Sequence, residues 1–233
     1  MASNDSSQSV DQKGIRMIQL ETERTVAPSS GIYKSYGKRL MDIILSALGL
    51  LLLSPVYVVI AIAVRMNMGS PVLFRQPRPG LGEQTFVMLK FRTMADTCDR
   101  NGGPLPDTER VTWFGKLLRA TSLDELPELW LVLTGKMSLV GPRPLLVEYL
   151  PFYSEEERRR HSVRPGITGL AQITGRNETT WGRRLQLDIF YVDHCSVLLD
   201  CRIIIQTIVV IFRGDGGIGA VEKLGRFRGT NGL

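Results

Sequence analysis

The stretch Ile43-Ile44-Leu45-Ser46-Ala47-Leu48-Gly49-Leu50-Leu51-Leu52-Leu53-Ser54-Pro55-Val56-Tyr57-Val58-Val59-Ile60-Ala61-Ile62-Ala63-Val64 holds 22 residues without a charge and a proline near its middle. About 20 apolar residues suffice to cross a bilayer. Pro55 has no N–H, and its ring crowds the carbonyl four residues back, so a helix kinks or breaks there. Ser54 can satisfy part of the backbone that the proline frees, as hydroxyls do inside membranes. Three readings follow: a kinked spanning helix, a helix-break-helix that enters one leaflet and returns, or the core helix of a soluble protein. Lys34, Lys38 and Arg39 precede the run and Arg65 follows it. Positive charge marks the cytoplasmic side, so basic residues at both ends favour the re-entrant form. A run this long without charge also exceeds the stripe of an ordinary core helix.

The remaining composition narrows the class. A formal net charge of +6 over 233 residues suits anionic partners such as headgroups, phosphates or nucleic acid. Three cysteines, Cys98, Cys195 and Cys201, are too few for a disulfide framework and fit a reducing compartment. Two histidines, His161 and His194, argue against a His-rich metal site. Met1 to Ser35 is polar and lacks the apolar core of a secretory signal, so a disordered extension is expected.

Downstream, Pro71–Phe74 and Thr85–Thr93 are rich in β-formers and flank Pro79-Gly80-Leu81-Gly82, predicting a hairpin. Asp96–Arg110 reads as a loop. Val111–Ala120 has helical apolar spacing, a second helix is expected from near Asp124 to Leu133, and Ser154–Ser162 reads as a charged, exposed helix. Val197–Phe212 is helical but too short to span, and so lies in the core or the membrane interface. The Gly-rich tail after Arg213 is expected to be loose.

The polar motifs carry the chemistry. Ser122-Leu123-Asp124-Glu125 matches a capping box, with Ser122 as the cap and Glu125 three residues on. With Ser122 as cap, Pro127 would fall at the fifth helical position, where its missing N–H removes a hydrogen bond. A start one residue later places Pro127 among the first four positions, whose N–H groups lack helical partners anyway. Asp124 and Glu125 then sit at the positive end of a helix dipole, which favours their ionised forms. An ionised Asp can serve as nucleophile, and paired carboxylates can share Mg²⁺ with a phosphate. Lys90 and Arg92, two apart at a strand end, share a face. Arg143 lies between Pro142 and Pro144, and Arg164 precedes Pro165-Gly166. Arginines stiffened this way lose little entropy on forking onto a phosphate.

These motifs in this order resemble one family, the bacterial monotopic phosphoglycosyl transferases, or bacterial sugar transferases. The resemblance runs from about Tyr36 to Arg213. It rests on Lys38-Arg39 with Asp42, Ser54-Pro55, Gln76 to Gly80, Lys90 to Met94, Ser122 to Pro127, Val140 to Pro144, Val163 to Gln172, and Leu187-Asp188. The stretch Gly141 to Pro151 is most like the small undecaprenyl-phosphate bacillosamine phosphotransferase group. The polar extension before Tyr36 and the polar stretch Asn177 to Trp181 depart from that group.

The resemblance implies an α+β fold, mostly helical, with a short β-hairpin, amphipathic interfacial helices and one N-terminal re-entrant membrane helix broken at Ser54-Pro55. It divides the chain into a polar extension (1–35), the membrane segment (36–66), a cytoplasmic catalytic domain (67–213) and a tail (214–233). It implies a bacterial inner-membrane enzyme whose body faces the cytoplasm and whose substrates are a UDP-sugar and undecaprenyl phosphate. Asp124 would attack the β-phosphate and release UMP; the lipid phosphate would then take the phosphosugar from Asp124. Glu125 would bind Mg²⁺ with help from Asp124. Arg143 and Arg164 would hold phosphates, with Lys90, Arg92 and Arg119 as further candidates. Asp42, beside Lys38 and Arg39, would help fix the membrane segment or act as a helix-start charge. The rival class is a membrane-anchored basic adaptor without catalysis, which explains anchor and charge but not the acidic pair. Scattered basic residues and the lack of zinc spacing exclude a nucleic-acid partner.

Overall fold

The computed structural model describes residues 31, 33–97, 103, 105–174, 180–212 and 225–230. Most of the polar extension, Cys98, residues 177–179 and most of the Gly-rich tail lie outside them. The apolar run forms one 31-residue helix, Lys38–Met68, with Pro55 inside it. Ser54 Oγ donates to the Leu51 carbonyl at 2.8 Å. That carbonyl is the one Pro55 would have bonded had it an N–H, so the hydroxyl replaces the lost donor, the helix continues through the proline, and the break expected at Ser54-Pro55 does not form.

One face of this helix is inward. Lys38, Asp42, Ser46, Ile60, Val64 and Met68 are buried, and Gly49, Leu53 and Tyr57 are half-buried between them. The three- and four-residue spacing puts all nine on one stripe. Pro55 is exposed, on the other side. The outer surface, including Ile44, Leu48, Leu51, Leu52, Val58, Val59 and Ile62, remains uncovered. Only 11% of its most apolar window is buried. An exposed apolar surface of that length associates with a membrane.

Both ends of the helix are fastened to the same body. At the start, Asp42 accepts from Ser138 Oγ at 3.1 Å and from the Leu139 N–H at 2.9 Å. Arg39 donates to the carbonyls of Val132 and Leu133 at 2.6 and 2.7 Å, satisfying the end of another helix, Glu128–Leu133. Lys38 pairs with Asp200 at 2.6 Å. At the other end, Arg92 donates to the Met68 carbonyl, and Ile60, Val64 and Met68 pack with Phe91 and Leu118. A straight helix of this length would reach about 46 Å.

The hairpin forms with a longer first strand than expected: β1 (Leu73–Pro79) pairs antiparallel with β2 (Thr85–Phe91). Pro77 and Pro79 are tolerated because a two-stranded sheet leaves each strand an open edge. Phe86 and Met88 on β2 meet Leu131, Val132 and Met137 in one core cluster. A second sheet joins the segment ahead of Arg143 to the segment after Arg164. There β3 (Ser138–Val140) pairs in parallel with β4 (Gly166–Thr168). A Cβ on Gly166 would lie 2.1 Å from the Gly141 nitrogen, so the close approach requires glycine.

Several boundaries shift for local reasons. The helix expected from Val111 starts at Trp113, where Thr112 Oγ1 accepts the Gly115 N–H at 2.9 Å and caps it. The helix expected from Asp124 is split. Ser122 takes a left-handed φ of 58° and makes no cap, Leu123–Glu125 is a short turn, and the helix restarts after Pro127. The capping box forms instead at Ser154 and Glu157. There the expected exposed helix becomes one turn, Glu155–Arg158, and a tighter turn, Arg159–Ser162, that turns Arg160 and His161 inward. A helical turn, Asp107–Arg110, closes the expected loop. Val197–Phe212 is a helix, with Leu199 and Ile203 buried and Leu198, Ile205 and Ile208 exposed, following Trp181–His194.

Asp200 accepts from Lys38 and Tyr33 at 2.6 Å and from Tyr191 at 2.7 Å, with no exposed surface. Asp200→Asn should therefore destabilise the detergent-solubilised protein by about 3–5 kcal/mol, because Lys38 loses its buried partner. Adding Lys38→Met should recover much of that loss; additive losses in urea or thermal unfolding would contradict the pairing.

Candidate functional site

The left-handed turn at Ser122 redirects the chain so that Asp124 and Glu125 both point inward, 4% and 5% exposed. Glu128, from the next helix, joins them at 1% exposure. Two cations meet this acidic group from distant segments. Lys90, near the end of β2, lies 2.5 Å from Glu125 Oε1 and 3.5 Å from Glu128 Oε1. Arg143, in the proline-bounded loop after β3, donates to the same oxygen of Glu125. Arg160 donates at 2.7 Å to the Arg143 carbonyl and at 2.7 Å to Asp188, fixing that loop from behind.

The three carboxyls differ because their surroundings differ. Burial, then the charge of Glu125, pushes Asp124 up to about 6, against the pull of Lys90, Arg143 and Arg119. Burial would also raise Glu125, but Arg143 and Lys90 outweigh it and hold Glu125 well below the usual carboxylate range. Burial and the Glu125 charge raise Glu128. Glu125 is thus the fixed anion that organises two cations, while Asp124 ionises near neutrality. Asp124 Oδ1 is buried without a hydrogen bond among the described residues. A polar atom in that condition is either costly or kept for a ligand.

Of the residues singled out by sequence, Lys90, Asp124, Glu125 and Arg143 converge. Arg119 borders the site: its Nε donates to Thr93 Oγ1 at 3.0 Å and its charge acts on Asp124. Arg92 turns elsewhere, donating to the carbonyls of Met68 and Pro71 and pairing with Asp96 at 3.2 Å. Strand β2 ends at Phe91, so the alternation that would have aligned Arg92 with Lys90 stops one residue short. Arg164 donates from Nε to the Gly135 carbonyl at 3.0 Å and seats the turn after the Glu128–Leu133 helix. Ser54 and Pro55 lie on the outer helix surface, but Tyr57 on the same helix donates to the Leu126 carbonyl, beside the acidic pair.

Sequence reasoning missed Glu128 and Arg160. Glu128 follows Glu125 by three residues, a spacing that can share a helix face, but Pro127 between them masks that signal. Arg160 sits in a run of charges that resembled a solvated surface, and only its contact with Asp188 distinguishes it. Among the described residues no group of three His, Cys, Asp or Glu side chains forms a metal cage. Mg²⁺ does not need one, since it binds through one or two carboxylates with phosphate oxygens and water. The unpartnered Asp124 oxygen next to Glu125 fits that donor set.

The family model described as bacterial sugar transferase matches residues 33–214. The chain is 49% identical to the uncharacterized sugar transferase EpsL of Bacillus subtilis over 77% of this chain and 89% of that protein. It is 43% identical to the UDP-glucose:undecaprenyl-phosphate glucose-1-phosphate transferase of Klebsiella pneumoniae, over 81% of this chain but 42% of that protein. With the protein of that name from Caulobacter vibrioides the identity is 37%, over 84% of this chain and 78% of the relative.

The Asp124 carboxyl should titrate near pH 6 in metal-free protein, about two units above its ordinary value. Lys90→Met should move it higher still, because a cation that favours the carboxylate is lost. Carbon-13 NMR of the labelled carboxyl measures this; a midpoint near 4, unmoved by the substitution, would refute the buried geometry.

Proposed function

The chain belongs to the bacterial sugar transferase family, and from that premise we propose that it moves a sugar-1-phosphate from a UDP-sugar to undecaprenyl phosphate. The observation that carries the proposal is the buried Asp124, with an unpartnered oxygen, beside Glu125, Lys90 and Arg143. An ionised Asp124 attacks the β-phosphorus of the donor. The bond between that phosphorus and the bridging oxygen breaks, and UMP leaves with the electron pair. The phosphosugar stays on Asp124 until an oxygen of the lipid phosphate attacks the same phosphorus and frees the carboxylate. The product is a sugar joined to the lipid through a diphosphate. Lys90 and Arg143 counter the charge that accumulates on the phosphate oxygens. Mg²⁺, held by Glu125 with Asp124, would supply further neutralisation of phosphate charge.

The membrane helix supports the choice of acceptor. Tyr57 and Ile60 touch the Leu123–Leu126 segment, so the acidic pair sits against the element that enters the lipid. Attachment of both ends of this unbroken helix to one body supports a helix that lies in one leaflet without crossing, with the body on the cytoplasmic face of the inner membrane. An adaptor without catalysis leaves a raised, unpartnered Asp124 without a purpose.

Asp124→Asn should abolish transfer, because an amide forms no acyl phosphate at a useful rate. Glu125→Gln should reduce it by at least about 100-fold through lost charge at the site. Wild-type protein given a panel of UDP-sugars without lipid should release UMP in an amount near that of enzyme and hold the phosphosugar covalently. Lipid product from the Asn variant at near wild-type rate would overturn the covalent route. In a background without native cysteines, single cysteines at Ser35 and Ser70 should react only after the inner membrane is opened; labelling of either in intact spheroplasts would mean a spanning helix.

A further inference from the structure

No hydrogen bond aims Asp124 Oδ1 among the described residues, so the direction of the carboxyl rests on the backbone that carries it. That backbone is thinly bonded within itself. The Glu125 N–H meets the Ser122 carbonyl at 3.2 Å, and the Leu126 N–H meets the Leu123 carbonyl at 3.4 Å. Pro127 supplies no N–H. Ser122 stands at a φ of 58°, a region that residues with a side chain seldom occupy. Lys90 and Arg143 anchor one side of the turn through the Glu125 carboxylate. Fixing its angle takes a second point of attachment.

Tyr57 provides that point. Its hydroxyl donates to the Leu126 carbonyl, 69 residues away in the chain. Its ring meets Phe91 edge to face, with centroids 5.6 Å apart and planes at 61°. Leu126 follows Glu125 and Phe91 follows Lys90, and those two predecessors form the 2.5 Å ion pair of the site. One side chain therefore touches the chain next to each member of the pair. Tyr57, Leu123 and Leu126 pack around Ile60, Phe91 and Leu118, so the ring has little room to turn. A tyrosine wedged among apolar groups with its hydroxyl tied is a stiff strut, having only two side-chain torsions.

Resting on the proposed transferase reading, we infer that Tyr57 is a positioning residue of the reaction. Through the Leu126 carbonyl it holds the Leu123–Glu125 turn at the angle from which Asp124 meets the phosphorus. In the first step an Asp124 oxygen bonds to the β-phosphorus as the bridging oxygen leaves with its electron pair in UMP. In the second, a lipid phosphate oxygen bonds to that phosphorus and the Asp124 oxygen leaves with the pair. Both steps use the same carboxylate, so a misaimed Asp124 slows both. Near-attack distances are about 3–3.5 Å, and a displacement of about 1 Å can cost about 100-fold. Tyr57 acts through the turn and not on a substrate, so affinity for either substrate stays as it was. The hydroxyl is also separable from packing. The Leu126 carbonyl accepts the Leu129 N–H at 3.1 Å as well, so removal of the hydroxyl leaves it with a partner.

The test uses full-length protein in detergent, with Tyr57→Phe, which keeps the ring and removes only the hydroxyl. Ser138→Ala is the control, since it removes a 3.1 Å bond between the same helix and the body at Asp42, away from the acidic turn. The single-turnover rate of UMP release is measured without lipid, and the covalent phosphosugar is then chased with undecaprenyl phosphate. Maximal rate and half-saturating concentration are read separately for each step, and rates are taken per burst site so that unfolded protein does not count. Tyr57→Phe should slow both steps by about tenfold or more with both half-saturating concentrations unchanged. Its melting temperature should fall by no more than about 4 °C, the scale of one neutral hydrogen bond. Ser138→Ala should leave both rates unchanged. Equal slowing by Ser138→Ala would make the loss a general loosening and overturn the inference. Slowing of one step alone, or a loss confined to the half-saturating concentrations, would place Tyr57 at a substrate and overturn it too. An active wild type with an indifferent Tyr57→Phe would remove the role of Tyr57 alone, whereas a wild type inert towards every UDP-sugar would remove the transferase reading with it.

Discussion

The contact on which the site depends is the sharing of one oxygen of Glu125 by Lys90 and Arg143. It joins three segments far apart in the chain: the hairpin, the acidic turn and the proline-bounded loop. A carboxylate buried to this extent is tolerable only with such partners. Burial, and then the charge of the ionised Glu125 beside them, drives Asp124 and Glu128 toward protonation. One interaction therefore supplies both rigidity and the division of labour among the carboxyls. Arg160 and Asp188 extend the same logic one layer out by fixing the carbonyl of Arg143.

The membrane helix shows a second use of buried polar contacts. An apolar helix has no side-chain chemistry with which to orient itself in lipid. Orientation comes from Lys38, Arg39 and Asp42 at one end and the Met68 carbonyl at the other, all bonded to the body. Its middle, where contact with the body is thinnest, is where Ser54 and Pro55 occur. The hydroxyl of Ser54 means that this irregularity leaves no bare Leu51 carbonyl in the hydrocarbon.

What could be read from the sequence was local. The β-formers around Pro79-Gly80 and the periodic Val197–Phe212 stretch each produced the expected element, because neighbouring residues decide them; the apolar run produced a helix, but one continuous through Pro55 where a break was expected. The acidic pair and Arg143 stood out through their turn chemistry. The failures have one physical origin, which is partnership across the chain. Ser122 and Ser154 both offer a cap with Glu three residues later, and only the second, with no proline in the turn that follows, forms it. Arg92 matched Lys90 by spacing, but the strand ended at Phe91 and the Met68 carbonyl claimed it. The parallel β3–β4 pairing depends on two short segments meeting at glycines. Asp42, ambiguous between headgroup and helix-start roles, is instead a bond to Ser138 and Leu139.

Arg39 caps the far end of the helix whose first residue is Glu128, and Tyr57 holds the carbonyl of Leu126 just ahead of it. The lipid-seated element thus grips the acidic segment at both of its limits, like a handle fixed at two points. Any tilt or change of depth of that handle is passed to Asp124 as a rigid displacement, not absorbed in a flexible joint. Bilayer thickness and the height of Asp124 above the hydrocarbon are then a single geometrical variable. A thinner or more curved leaflet re-aims the carboxylate without altering one bond inside the body.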